Sequence, residues 1–257
     1  MGAITGDIIG SRFEFDNYRH KDFGLFTTAC NFTDDTICTV AVADAILRGQ
    51  PFATALRSWC SRYPHPMGGY GGRFSGWISA GNSGPYNSWG NGAAMRVSPC
   101  AWLFDRLDEV VLKAKESAEC THDHPEGIRG AQCTAACIYL ARHKASRADI
   151  RAMLTEEYRY SIPGTVAGIR VTNSFDESCL GTVPPAIVCF LESTGYEDAI
   201  RNAVSIGGDT DTIAAITGSI AEAYYGIPGD IYKTAIAYLD SPMTAIVDRF
   251  TQATAKR

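Results

Sequence analysis

Long apolar runs are missing from this 257-residue chain. None approaches the roughly 20 consecutive apolar residues that a membrane-spanning helix needs. Positive charge is in deficit as well: Lys and Arg number 23 against 28 Asp and Glu, for a formal net charge of −5. That balance leaves no basic footprint for nucleic acid and no polybasic segment for an anionic membrane. The opening residues, Met1-Gly2-Ala3-Ile4-Thr5-Gly6-Asp7, lack the basic start and uninterrupted apolar stretch of a signal peptide. Cysteine is plentiful but has no pairing pattern. The nine are scattered without a CxxC, and Cys133 and Cys137 stand at i, i+4 in an apolar helical pattern. Such usage fits small buried side chains in a reducing compartment, and a cytoplasmic protein is expected. Strand signals are scarce too, with no sustained alternation and no Asn-Gly hairpin flanked by β-branched runs.

Helical periodicity is what the chain does carry. Ile37, Val40, Ala41, Ala45 and Leu47 mark one amphipathic stretch, stopped by Gly49 and Pro51. Val110, Val111, Ala114 and Ala118 mark a second, and Ala131, Ala135, Ile138 and Ala141 a third, which ends on cations where the helix dipole favours them. Ser146 with Asp149 reads as a capping-box-like start. Ile213, Ile216, Ile220 and Tyr224 stand at helical spacing among Ala and Gly, and Pro228 to Thr251 reads as two further helices. The segment from Tyr63 to Asn91 is irregular, and its aromatics (Tyr70, Phe74, Trp77, Tyr86, Trp89) argue for order there. With no linker and no internal repeat, one all-α domain over 1–257 is expected.

Two segments carry the same chemistry. Phe32-Thr33-Asp34-Asp35-Thr36 precedes the Ile37 helix, and Gly207-Gly208-Asp209-Thr210-Asp211-Thr212 precedes the Ile213 helix. Helix capping explains either one alone, since hydroxyls and carboxylates satisfy the free N–H groups and the positive helix end. Both, however, place two carboxylates and a hydroxyl within four residues at a helix start, and adjacent carboxylates repel unless a cation intervenes. Oxygen ligands without Cys or His suit Mg²⁺ or Mn²⁺ rather than zinc. Should the two helix starts meet, they would hold two cations about 3.5–4 Å apart, the spacing of two-metal hydrolytic sites.

At this point the sequence resembles the ADP-ribosylglycohydrolase family, the group that includes the dinitrogenase reductase-activating glycohydrolases. The matching segments run in order. They are Gly2 to Asp7 continuing through Gly10-Ser11-Arg12-Phe13-Glu14, then Thr33 to Thr36, Gly90-Asn91-Gly92-Ala93-Ala94-Met95-Arg96, Thr121-His122 through Gly130-Ala131, and Gly207 to Thr212. The resemblance implies an all-α, single-domain, multi-helix fold with a binuclear Mg²⁺ site in an ADP-ribose cleft. By position it makes Thr33, Asp34, Asp35, Asp209, Asp211 and Thr212 the metal ligands, with ribose hydroxyls completing the coordination. Glu14 falls where many members have an active-site glutamate, and Asp35 or another metal-site Asp is the alternative base. Asn91, Gly92 and Met95 match the segment that lines the cleft. His122 matches a position beside the diphosphate, where Gly127 would allow close approach.

Other readings of these segments are less specific. Cys120-Thr121-His122-Asp123-His124 has no second Cys/His pair at finger-like spacing, and a structural hydrogen bond is expected for His124. Arg96 pairs with an Asp in one reading and has no assigned role. Tyr86 and Trp89 are candidates for stacking on adenine. The expected reaction is hydrolysis of the glycosidic bond between ADP-ribose and a modified Arg or Ser side chain. Two Mg²⁺ ions orient the ribose, while a water activated by metal or by Glu14 attacks the anomeric carbon. The alternatives are a free ADP-ribosyl metabolite or modified nucleic acid as substrate, or a relative that binds ADP-ribose without turnover. The intact acidic clusters and Glu14 count against loss of catalysis, and a monomer is the default expectation.

Overall fold

A computed structural model describes residues 1–81 and 83–255. Among these, fourteen α-helices follow one another: α1 (Gly2–Gly10), α2 (Asp34–Arg48), α3 (Phe52–Arg62), α4 (Gly72–Ser79), α5 (Gly92–Met95), α6 (Leu107–Glu119), α7 (Pro125–Arg142), α8 (Arg147–Ala152), α9 (Val166–Thr172), α10 (Cys179–Leu191), α11 (Tyr196–Ser205), α12 (Thr210–Tyr225), α13 (Gly229–Ile236) and α14 (Ser241–Thr254). Extended pairing among the described residues is limited to two isolated bridges, Thr33 with Met67 and Gly90 with Ser178. The all-α expectation therefore holds. Inside the stretch expected to be irregular, Tyr63 to Asn91, the chain forms α4, which buries Phe74 and Trp77.

Helix boundaries follow local chemistry. The Thr33 hydroxyl accepts the Asp35 N–H at 3.2 Å to open α2, and Gly49, in the left-handed conformation at φ 63°, closes it. Ser146 and Asp149 form the complete capping box of α8. His124 Nδ1 accepts the Glu126 N–H at 3.0 Å to open α7, which is the structural role expected of that histidine.

Packing centres on α1 and α12. Every residue of α1 is buried, so the amphipathic pattern that exposes a helix in sequence is absent there. Gly2, Gly6 and Gly10 line one face at four-residue spacing. A Cβ on each would run into the backbone of Gly218, Ala214 and Thr210 respectively. Those partners repeat with the same period along α12, so the two helices lie backbone to backbone. Around this seam lie two apolar cores. Ile9 joins the one that includes Ile138, Ile187, Phe190 and Ile213. Ile4 and Ile8 join the one that includes Ile37, Leu56, Trp59 and Met243. Each such side chain, fully buried, contributes about 1.5–3 kcal/mol. All nine cysteines are free and only Cys120 is partly exposed. Among the described residues no helix is long and apolar enough to cross a membrane.

Candidate active site

The α1–α12 seam brings the two acidic helix starts together. Asp7, fully buried on α1, accepts the Thr33 N–H at 3.0 Å, the Thr33 hydroxyl at 2.8 Å and the Thr36 N–H at 3.1 Å. It also accepts the Thr36 hydroxyl. One carboxylate on α1 thus fixes the start of α2. Burial pushes Asp7 up to about 6, against the hydrogen bonds from Thr36 and Thr33 that pull it down.

At the other start, Gly207 and Gly208 take φ 66° and 85° to turn the chain into α12, a conformation that costs glycine nothing. Asn17 clamps this turn: its Oδ1 accepts the Gly208 N–H at 2.7 Å, and its Nδ2 donates to the Gly208 carbonyl at 3.0 Å. The same amide donates to the Glu14 carbonyl at 3.1 Å, so one side chain ties the Glu14 loop to the Asp209 turn.

The carboxylates that result face one another. Glu14, Asp209 and Asp211 each offer an oxygen within 4.8 Å of the other two. Asp35 Oδ1 accepts the Thr212 hydroxyl at 3.2 Å, across from α12 to α2. Two oxygens of the cluster, Asp35 Oδ2 and Glu14 Oε2, are buried without a hydrogen-bond partner. Burial, with the charges of Asp209, Asp7 and Glu177 added, pushes Glu14 up to about 7. Burial and neighbouring carboxylates likewise hold Asp34, Asp35 and Asp211 well above the carboxylate range. A mutually repelling set of oxygens with unpartnered buried atoms fits a hard divalent cation, which would neutralise the charge and take those lone pairs.

The cluster forms part of the wall of an open cavity of about 380 Å³. Glu14, Asp34, Asp35, Asp209, Asp211 and Thr212 all line it, as do Asn91, Gly92, Met95 and His122. Thr33 and Gly127 are not in the lining. The Thr33 hydroxyl is occupied by Asp7 and the Asp35 N–H. Gly127 lies behind the wall, where a Cβ would stand 2.7 Å from the Ser88 carbonyl and 3.0 Å from His122 Cβ. Its smallness therefore seats His122 and the Ser88 segment against each other.

Asn91 sits lower in the site than a cleft-lining residue need be. Its Nδ2 donates to Asp209 Oδ2 at 2.7 Å and to the Thr182 hydroxyl at 2.9 Å, so it orients a carboxylate of the cluster. The backbone N–H groups of Gly90 and Asn91 are taken by the Ser88 hydroxyl and the Glu177 carbonyl, which leaves this loop fewer donors for a phosphate than its composition suggests. His122 presents a ring nitrogen to the cavity instead. Burial and the nearby Arg96 and Arg73 hold it well below the ordinary imidazole range, so the ring is neutral. Arg96 Nη2 donates to the Thr121 hydroxyl at 2.8 Å, and that hydroxyl lies 2.7 Å from His122 Nδ1. The same hydroxyl also reaches the Ala118 carbonyl at 3.5 Å, and the other ring nitrogen, Nε2, points at Gly92 in the cavity wall. Arg96 bonds the Ser117 carbonyl and Thr121, and no Asp pairs with it among the described residues.

Tyr86 lines the cavity and Trp89 does not; the latter packs edge-on against His124. Several contributors were not singled out in the sequence. Asn17 and Glu177 are single polar residues that no local pattern distinguishes, and Asp7 ends the Gly2–Asp7 family segment without a role assigned to it there. Phe15 and Phe175, both exposed, pack together at the cavity.

Known proteins share this arrangement of chain and fold. ADP-ribosylhydrolase ARH3 of Xenopus tropicalis is 27% identical over 317 residues, covering 94% of this chain and 91% of its own. ADP-ribosylarginine hydrolase Tri1 of Pseudomonas putida (strain GB-1) is 27% identical, covering 89% of this chain and 70% of its own. Among solved structures, an ADP-ribosylglycohydrolase-related protein complex superposes with a TM-score of 0.74 at 22% identity, over 98% of this chain and 95% of that one. That likeness establishes the fold. The ADP-ribosylglycohydrolase family model matches residues 1–257, and with the paired acidic helix starts in place, the chain belongs to the ADP-ribosylglycohydrolase family.

Proposed function

We propose that this chain hydrolyses the glycosidic bond between ADP-ribose and a modified protein side chain. The observation that carries the reading is the carboxylate cluster of Glu14, Asp209 and Asp211 in the wall of an open cavity. Relatives named for ADP-ribosyl hydrolysis support the substrate class.

Asp34, Asp35, Asp209, Asp211 and Thr212 would hold Mg²⁺, with Asp7 and Thr33 fixing α2 behind them. Mg²⁺, with Mn²⁺ as a substitute, suits a donor set made only of oxygens. When bound, the cations supply charge stabilisation and orientation for the ribose hydroxyls next to the scissile bond. The chain's own residues supply the rest. Glu14, which lines the cavity and keeps one buried carboxylate oxygen without a partner, is placed to take a proton from the attacking water and pass it on. Asn91 holds Asp209 in place, and His122 Nε2 donates a hydrogen bond to a diphosphate oxygen. Tyr86 offers a flat face to the adenine. Binding energy from the diphosphate and adenine fixes the anomeric carbon for attack.

Release of free ADP-ribose from an ADP-ribosylated protein, with and without chelator, tests this directly. Turnover that requires Mg²⁺ is expected. Undiminished release in excess chelator would overturn the metal assignment, and no release with Mg²⁺ present would overturn the hydrolase reading.

A further inference from the structure

Two phenylalanines lie where solvent should disfavour them. Phe15 is 74% exposed and Phe175 45%, and their ring centroids are 5.9 Å apart. Single exposed apolar side chains are ordinary on a protein surface. These two, however, come from loops far apart in sequence, meet each other, and both line the cavity. Phe15 directly follows Glu14, and Phe175 precedes Glu177 by two residues, and all four residues line the same cavity.

The Glu177 loop is held in place. The Glu177 carbonyl accepts the Asn91 N–H at 2.7 Å, and the Cys179 N–H reaches the Trp89 carbonyl at 3.0 Å. Asn173 Nδ2 donates to the Gly207 carbonyl at 2.8 Å, and Arg19 Nη2 to the Asn173 carbonyl at 2.7 Å. The Glu177 side chain is exposed and takes part in no ion pair among the described residues. The charges that act on it, Asp209 and Asp176, are both negative. Of the cations in the cavity wall, Arg73 lies over the Tyr86 ring at 5.0 Å, and Arg96 is turned to Ser117 and Thr121.

From this juxtaposition we infer that Phe15, Phe175 and Glu177 form a subsite for a cationic, planar leaving group, and that the preferred linkage is to the guanidinium of arginine rather than to the hydroxyl oxygen of serine. The inference rests on the hydrolase reading above. A guanidinium is flat, weakly hydrated and always charged, so it stacks on aromatic faces while its N–H groups bond a carboxylate. A serine-linked substrate has neither the plane nor the charge, and it would leave Glu177 unpaired. In the reaction a water oxygen bonds to the anomeric carbon as the bond from that carbon to the guanidino nitrogen breaks. The bonding pair goes to nitrogen. One water proton passes to Glu14 and from there to the nitrogen, so that the arginine side chain leaves intact.

The test is kcat/KM for matched Arg-linked and Ser-linked ADP-ribosyl peptides with Mg²⁺, in the wild type and in Phe15→Ala, Phe175→Ala and Glu177→Gln. The wild type should favour the Arg-linked peptide. Each variant should lose about tenfold on that peptide and little on the other. The Kd for free ADP-ribose should not change, which also establishes that the variants are folded. A wild type that favours the Ser-linked peptide, or cleaves both equally, would overturn the subsite and leave the hydrolase reading standing, as would variants that lose equally on both. Release from neither peptide would overturn both.

Discussion

Glu14 has two demands on it. One of its oxygens lies within 4.8 Å of oxygens of Asp209 and Asp211, close enough to share a cation with them, and burial with neighbouring charge pushes it up to about 7. A base and a metal ligand predict different outcomes for Glu14→Gln. We expect the base: ADP-ribose release falls about 10²–10⁴-fold, while Mg²⁺ affinity measured by calorimetry stays within a few-fold. A large loss of Mg²⁺ affinity with that substitution would move Glu14 into the ligand set. Asn17 acts through Glu14 and Gly208 and is a positioning residue. Asn17→Ala should lower kcat with little change in KM, because it loosens the reacting group and leaves the ADP-ribose contacts in place.

Among the elements, the α1–α12 seam sets the distance between the acidic helix starts. A Cβ at Gly6 has nowhere to go, since the atoms it meets are the Ala214 carbonyl and its neighbours rather than a flexible side chain. Gly6→Ala should therefore destabilise by about 1–3 kcal/mol or more, as overpacking does, read as a lower midpoint in denaturant. Because the seam carries Asp7 and Asp211 on its two helices, the same variant should bind Mg²⁺ more weakly even where it is still folded. At the start of α2, Thr33→Ala removes a helix cap and one of the donors to Asp7. About 1–2 kcal/mol of stability should be lost, measured in the same denaturation series.

The whole molecule couples its stability to pH and to cation. Asp7 at about 6 and Glu14 at about 7 lie above the ordinary carboxylate values, and Asp34, Asp35 and Asp211 are raised as well. The folded state then binds more protons than the unfolded chain, so the slope of unfolding free energy with pH is negative. This contribution is fully present below the unfolded carboxylate range, near about 4, and is lost as pH rises through 6 and 7. In chelator, Tm should fall between pH 5 and pH 8. Added Mg²⁺ should restore it at pH 8 and do little at pH 5, because binding to the folded state adds stability only where the carboxylates are free of protons. A Tm in chelator that rises over this interval would mean that the carboxylates are not held protonated by burial.

The sequence by itself determined the all-α class, the family and the two acidic helix starts, because each rests on local pattern. Helical period, a Thr or Ser cap and the repeated pairing of carboxylates with hydroxyls are all visible within a few residues. It also marked His122 and Asn91 through short segments, although Asn91 orients Asp209 as well as lining the cleft. Tertiary structure decided the rest, for reasons of packing. Helix α1 has no polar face to give it a period, since all of it is buried. Helix α10 carries Pro184 and Pro185 inside it, and proline costs about 3 kcal/mol in a helix interior, which only burial on several neighbours offsets. Asp7, Asn17 and Glu177 acquire their roles from partners 26 to 191 residues away in the chain or from a loop paired across Gly90 and Ser178. Contacts of that range leave no periodic trace in sequence, so a carboxylate that fixes a helix start and one on the surface look alike until the chain is folded.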